Sequence, residues 1–234
     1  MSTRTGPSAP PGPHALAAPR WSVVVAVKRL AEAKSRLADF AGAHREPLAL
    51  AFACDTVAAA LACDRVAAVY AVTDDPVAAA RLAALGAAVT GDEPGGGLNA
   101  AYRRGAARAR SERPALGVAA LQADLPALRP AELARALDAA GAGTAFVADT
   151  PGTGTALYAA GPLAAFEPAF GGASAERHRG AGARELRITG VESVRRDVDT
   201  AEDLREAVAL GVGPRTREVA GALGVAAAAA TPCP

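Results

Sequence analysis

Cysteine is scarce in this sequence, and its three copies, Cys54, Cys63 and Cys233, fall at no metal-ligand spacing. Cys54 and Cys63 would lie on opposite faces of any helix that carried both. No disulfide staple is called for either, because a chain of 234 residues is long enough to bury a core of its own. A reducing, cytoplasmic setting fits best. Net charge is equally slight: 25 Lys and Arg against 24 Asp and Glu leave +1. That balance gives no broad electrostatic footprint for duplex nucleic acid, although a small anionic ligand remains within reach of local clusters. Long apolar runs are missing too. The Pro-rich opening reads as a disordered extension over 1–19 rather than a signal peptide. The Ala run of "GALGVAAAAATPCP" is far too short to span a membrane. The folded unit is therefore placed at 20–212, with 213–234 as a flexible tail. Internal repeats and heptads are absent, and so is the Gly-x4-Gly-Lys-Ser/Thr spacing of a phosphate-binding loop.

What is present reads as an α/β domain. "SVVVAV" (Ser22–Val27) is an uninterrupted β-branched run suited to a strand buried on both faces of a parallel sheet. An Ala-rich helical stretch from Pro47 to Cys63 and a second strand, "VAAVYAV" (Val66–Val72), complete a βαβ opening. A short strand within Gly86–Thr90, a glycine loop at Gly95–Gly97 and a basic helix follow. "LGVAAL" (Leu116–Leu121) is the next buried strand. The later part is mixed, with "GTAFVAD", "GTALYAA", "ELRIT" and "VESVRRDV" reading as strands around one short helix near Ser174.

Three clusters carry polar groups that a core does not need. Lys28, Lys34 and Arg36 follow the first strand directly and could hold a triphosphate together with a helix N-terminus, or form an ordinary solvated basic face. Asp124 ends a buried strand, and Asp197 and Asp199 lie in "RRDVDTAEDL", just ahead of a helix. Residues two apart on extended backbone share a side, so the pair could face one cation; equally, Asp199 or Thr200 could cap the helix with Glu202 or Asp203. Carboxylates of this kind suit Mg²⁺, which borrows further oxygens from substrate phosphates. The third cluster, "DTPGTGTALY" and "FGGASAERH", offers Thr153, Thr155 and Ser174 beside flexible glycines. Ser174 is placed to cap the helix carrying Arg177 and His178, and His178 taken alone reads as structural.

Taken in order, "VAVKRLAEAKSRL", "VTDDP", "GGGLNAA", "QADLPAL", "GTGTAL", "FGGASAERH" and "RRDVDTAEDL" resemble the guanylyltransferases that make the precursor of the deazaflavin coenzyme F(420), over about Trp21 to Leu210. The resemblance implies a single-domain nucleotidyltransferase fold, Rossmann-like and glycosyltransferase-A-like, with a mostly parallel central sheet and a mixed C-terminal part. It implies GTP and phosphoenolpyruvate as substrates, with 2-phospho-L-lactate or 3-phosphoglycerate as alternative acceptors, and leaves room for a downstream transferase as partner. A non-catalytic nucleotide-binding module is the rival from another class. It also implies Mg²⁺ on Asp124, Asp197 and Asp199, and acceptor contacts from Thr155, Gly171 and Ser174. Lys28, Lys34 and Arg36 are then expected to stabilise departing pyrophosphate, and Asp74 and Asn99 to contact base or ribose.

Overall fold

The computed structural model describes residues 21–92 and 96–226. In chain order, β1 (Trp21–Ala26) leads through 3-10 turns into α1 (Ala38–Ala41) and α2 (Arg45–Leu61), then β2 (Val66–Val72), α3 (Pro76–Ala84) and β3 (Ala88–Thr90). α4 (Gly97–Glu112), β4 (Gly117–Leu121) and α5 (Pro130–Ala140) complete the first part. The second part runs β5 (Thr144–Ala148), β6 (Thr155–Ala160), α6 (Ser174–Gly180), β7 (Arg184–Glu185), α7 (Glu192–Arg195), α8 (Ala201–Leu210) and α9 (Pro214–Ala222).

Among the described residues one sheet forms, in the order β3-β2-β1-β4-β6-β5-β7. All its pairs are parallel except those of β6, which runs antiparallel to both β4 and β5. The β-branched run of β1 is buried on both faces because consecutive side chains alternate. Val23 and Val25 join Val57, Leu133 and Leu137 in one core, while Val24 joins Tyr70, Val72, Tyr102 and Phe146 in another. On the second face α4 comes so near that a Cβ on Gly105 would stand 2.4 Å from Val24 Cγ1. A third, smaller core of Leu37, Leu48, Phe52, Val198, Leu204, Val212 and Ala220 lies beside the sheet. It ties the segment after β1 to the segment before α8. Among the described residues no helix is long and apolar enough to cross a membrane.

The α/β reading holds, with three local differences. Val191–Val198, expected as a strand, instead forms the short helix α7 and an irregular exit. Val191 and Val194, both fully buried, are three apart, a helical spacing, and the polar side chains between and after them are pinned individually. Ser193 donates from N and Oγ to Glu132 at 2.8 Å each, and Arg195 donates to the carbonyls of Ala148 and Leu186. "ELRIT" contributes only Glu185 to a strand. Finally, Pro214–Ala222, placed in a flexible tail, is a docked helix. Pro214 opens it, and buried Asp55 of α2 accepts from the Thr216 N–H at 2.7 Å, supplying a partner for one of its free first-turn amides. Gly95 of the expected glycine loop lies outside the described residues.

Candidate active site

The chain leaves β1 not through a helix N-terminus but through two 3-10 turns, at Leu30–Glu32 and Ser35–Leu37. Their carbonyls converge on one guanidinium: Arg45 donates to Leu30 O at 3.2 Å, to Ala31 O at 2.9 Å and to Ala33 O. From the other side Asp75 accepts from Leu30 N at 3.0 Å. Held in this way, Lys34 sits in the left-handed region at φ 54°, alone in this among the described non-glycine residues. That conformation costs an L-residue about 1–2 kcal/mol and persists where its surroundings over-determine it. Here it points the Lys34 ammonium at two carboxylates, Asp124 and, at 2.8 Å, Asp199. Burial pulls the ammonium pKa down, but the two aspartates more than reverse this and hold it above its ordinary value.

Asp124 arrives at the end of β4, where ligands collect in open α/β sheets. Thr56 of α2 steadies its loop by donating to Ala123 O and accepting from Leu125 N. The Asp124 carbonyl accepts from Val198 N at 3.1 Å, so the two acidic segments are tied by main chain. Val198 is buried in the third core, and Asp197 and Asp199 on either side of it line the same cleft. Capping and site-facing roles therefore fall to different residues. Thr200 and Asp203 form a reciprocal capping box on α8, which leaves Asp199 to pair with Lys34 and, at 3.5 Å, Arg36.

The carboxylates are unequally compensated. Asp199 is held below its usual range: burial raises its pKa, but Lys34 and Arg36 outweigh that. Asp197 is pushed up to about 7 by burial first, then by the charges of Asp124, Asp199 and Asp149. One Asp124 oxygen, Oδ1, is buried with no hydrogen-bond partner. Lys34 stands between Asp124 and Asp199, and among the described residues no group of three or more His, Cys, Asp or Glu side chains is arranged as ligands.

Across the cleft, β6 begins with Thr155 beside the end of β4 because the two strands are antiparallel. Gln122 donates from N to Ala156 O at 3.0 Å and from Nε2 to Thr155 O at 2.9 Å. The Ala169–Ala173 loop comes next. Asn99 both donates to Phe170 O, at 3.1 Å, and accepts from Phe170 N, at 2.8 Å, while Arg177 donates to the carbonyls of Ala169 and Gly171. Phe170 packs on Tyr102 with ring centroids 4.6 Å apart. With its carbonyls occupied and Gly171 and Gly172 at positive φ, the loop presents the N–H groups of Gly171, Gly172 and Ala173 without partners among the described residues. Successive free amides of this kind form an anion-binding concavity.

All of Lys28, Lys34, Arg36, Asp124, Asp197, Asp199, Thr155, Gly171 and Ser174 line this one cleft of about 820 Å³. Ser174 is not a cap: it is the first residue of α6, buried, and the residue before it makes no side-chain cap. The two residues expected at base or ribose are not among those lining the cleft. Asp74 pairs with Arg29 at 2.7 Å near the surface, and Asn99 spends its amide on Phe170. Sequence reading missed Arg45 and Asp149. Arg45 belongs to none of the quoted stretches and acts through main-chain carbonyls; Asp149 opens "DTPGTGTALY" but was given no role there, and it ties its own turn by accepting from Thr153 N and Gly154 N.

The phosphoenolpyruvate guanylyltransferase of Thermomonospora curvata is 60% identical over 201 residues, covering 86% of this chain and 88% of that protein. The one from Streptomyces scabiei is 59% identical over 210 residues, covering 87% and 97%. A solved structure from Desulfovibrio desulfuricans G20, assigned as a nucleotide-diphospho-sugar transferase, has a TM-score of 0.62 at 18% identity, covering 80% of this chain and 86% of that one; this likeness shows the fold. The family described as "Guanylyl transferase CofC like" matches residues 21–231, and the chain therefore belongs to the CofC-like guanylyl transferases.

Proposed function

We propose that this protein transfers GMP from GTP to the phosphate of phosphoenolpyruvate, with Mg²⁺, giving enolpyruvoyl-diphospho-guanosine and pyrophosphate in the synthesis of coenzyme F(420). The observation that carries the reading is the facing of two unlike surfaces in one cleft: aspartates with Lys34 at the ends of β1 and β4, and free amides with hydroxyls at Gly171–Ser174 and Thr155. The acceptor named for the relatives from Thermomonospora and Streptomyces supports phosphoenolpyruvate.

The carboxylates suit a hard divalent cation that would take the place Lys34 holds between Asp124 and Asp199. Asp124 has a buried oxygen without a partner among the described residues, and Asp197 is crowded by the negative charges of Asp124, Asp199 and Asp149. Asp124, Asp197 and Asp199 would hold the ion. Bound there, Mg²⁺ supplies positive charge to the phosphate oxygens that approach one another.

The chain's own part is alignment and charge. A phosphate monoester is largely dianionic at neutral pH, so its oxygen needs no general base to attack the α-phosphorus. The new P–O bond forms as the bond to the β-phosphate breaks, and pyrophosphate leaves with that electron pair. Lys28, Lys34 and Arg36 line the side where negative charge accumulates and stabilise the leaving group. Thr155, Ser174 and the amides at Gly171–Ala173 hold the acceptor in line. Incubation with GTP and Mg²⁺ plus phosphoenolpyruvate, 2-phospho-L-lactate or 3-phosphoglycerate, following pyrophosphate and guanylylated product, tests the reading. Fastest release with phosphoenolpyruvate is expected; no release with any of the three rejects it.

A further inference from the structure

We propose that His178 is a positioning residue: its ring, protonated at Nδ1, turns the Thr155 hydroxyl into a hydrogen-bond donor aimed at the acceptor. The inference deepens the acceptor assignment made above and rests on it. The geometry begins with Ala169, whose N–H lies 2.9 Å from His178 Nε2. A backbone amide can only donate, so Nε2 must be the bare, accepting nitrogen. The other nitrogen, Nδ1, lies 2.9 Å from Thr155 Oγ1. The ring is completely buried, stacked on Tyr158 at 4.6 Å between centroids and edge-on to Phe170 at 5.5 Å. Burial, with Arg177 adjacent, pushes its pKa down to about 4, so it is neutral at physiological pH.

A neutral ring with Nε2 accepting carries its one proton on Nδ1 and gives it to Thr155 Oγ1. A hydroxyl has one hydrogen and two acceptor sites. With one lone pair engaged, the Thr155 hydrogen is left for the cleft, which it lines beside Gly171 and Ser174. The opposite tautomer would reverse both bonds: Ala169 N–H would meet another N–H, and Thr155 would spend its hydrogen on Nδ1. A negatively charged acceptor would then meet oxygen lone pairs. His178 also sits one turn after Ser174 on α6, so the two share one buried helix face, and Ser174 lines the cleft.

The test separates the two ring nitrogens. An amide at the δ position, in His178→Asn, keeps a donor for Thr155 and loses the acceptor for Ala169. The longer His178→Gln reaches Ala169 and loses the Thr155 bond. Expected results are a lowered Tm with a phosphoenolpyruvate KM within about threefold of wild type for His178→Asn, and a phosphoenolpyruvate KM raised about 10- to 100-fold for His178→Gln, with the GTP KM unchanged in both. Thr155→Val combined with His178→Gln should lose no more than Thr155→Val alone, because one acts through the other. Nitrogen-15 NMR of the histidine-labelled wild type reports the tautomer directly and should show Nδ1 protonated. Protonation at Nε2, additive losses in the double variant, or KM changes that follow Tm in both single variants overturn the inference. A raised phosphoenolpyruvate KM in Thr155→Val beside an unchanged one in His178→Gln overturns it alone, whereas an unchanged KM in Thr155→Val overturns the acceptor assignment with it.

Discussion

The two walls of the cleft hold their functional groups by opposite means. On the wall built from the ends of β1 and β4, charges hold charges: Lys34 is fixed by Asp124 and Asp199, and Asp197 is left with like charges around it. On the wall built from β6 and α6, side chains hold main chain: Asn99, His178 and Arg177 occupy the polar atoms of Ala169 and Phe170 and the Gly171 carbonyl, and free amides remain. The difference matches the ligands proposed for each side. A departing pyrophosphate gathers negative charge during the reaction and needs positive charge already aimed at it, while the acceptor must only be oriented. Damage to the first wall should therefore fall on turnover, and damage to the second on acceptor binding.

The largest effect is expected at Lys34. Its side chain is only 11% exposed, so Lys34→Met leaves Asp124 and Asp199 without their shared cation. Breaking a buried pair costs about 3–5 kcal/mol, less here because Asp199 is 47% exposed, and about 2–3 kcal/mol is expected in denaturant titrations. Turnover should fall about 10²–10³-fold as well. A variant that loses stability but keeps turnover would make Lys34 a strut for the aspartates and nothing more.

Asp197→Asn comes next and should divide activity from stability. Turnover is expected to collapse, and the Mg²⁺-induced rise in Tm to disappear with the site. Without metal the variant should be at least as stable as wild type above neutral pH. The sign follows from the raised pKa: the folded state binds a proton that the unfolded chain releases near pH 4, so metal-free wild type loses stability as pH rises from about 4 to about 7. Removing the carboxylate removes that loss. Thermal melts of both proteins across this window, with and without Mg²⁺, check it; parallel curves would return Asp197 to an ordinary surface acid.

These two residues also mark what the sequence could and could not say. The valine run of β1 declared a buried strand because its chemistry is uniform on both faces. Asp124 stood out because a buried strand empties into it. Asp197 and Asp199 were paired on the expectation of a strand, yet α7 and an irregular exit carry them, and they share a side because buried Val198 alternates between them. The pairing was legible and its scaffold was not, since α7 is set by contacts with Glu132 and Ala148 that are distant in sequence. Lys34 was visible as a charge, but not its left-handed backbone, which depends on Arg45 and Asp75. Asp74 was expected at base or ribose, while its neighbour Asp75 is the one that caps α3 and ties down Leu30.

Smaller effects belong to the second wall. Thr155→Val or Ser174→Ala should weaken phosphoenolpyruvate binding by about 1.5–3 kcal/mol each, the worth of a hydrogen bond to a charged group, with GTP binding unaltered. Gly171→Ala meets no steric obstacle, since nothing lies within 4 Å of an added Cβ, but φ +100° strains any L side chain. About 1–3 kcal/mol of distortion in that loop should appear as a higher acceptor KM at nearly wild-type kcat. Loss of GTP affinity in any of the three would mean the walls have been assigned to the wrong ligands.

Asn99 gives the smallest and most discriminating effect. As a base or ribose contact, its loss would raise the GTP KM and leave the acceptor's alone. The structure instead spends both ends of its amide on Phe170, one donor and one acceptor to the same peptide unit. Asn99→Ala should then loosen the loop that presents the Gly171 amide while leaving Phe170 against Tyr102. Because Arg177 and His178 still hold Ala169 and Gly171, the loss is shared, at about 0.5–1.5 kcal/mol for neutral hydrogen bonds. A phosphoenolpyruvate KM raised about two- to tenfold, with GTP KM constant, is expected from steady-state kinetics. Asn99→Asp sharpens the test, for a carboxylate can still accept from Phe170 N but cannot donate to Phe170 O. It should be no better than alanine at holding the loop, and its added charge near the free amides should raise the acceptor KM further; an increase confined to GTP would restore Asn99 to the nucleotide.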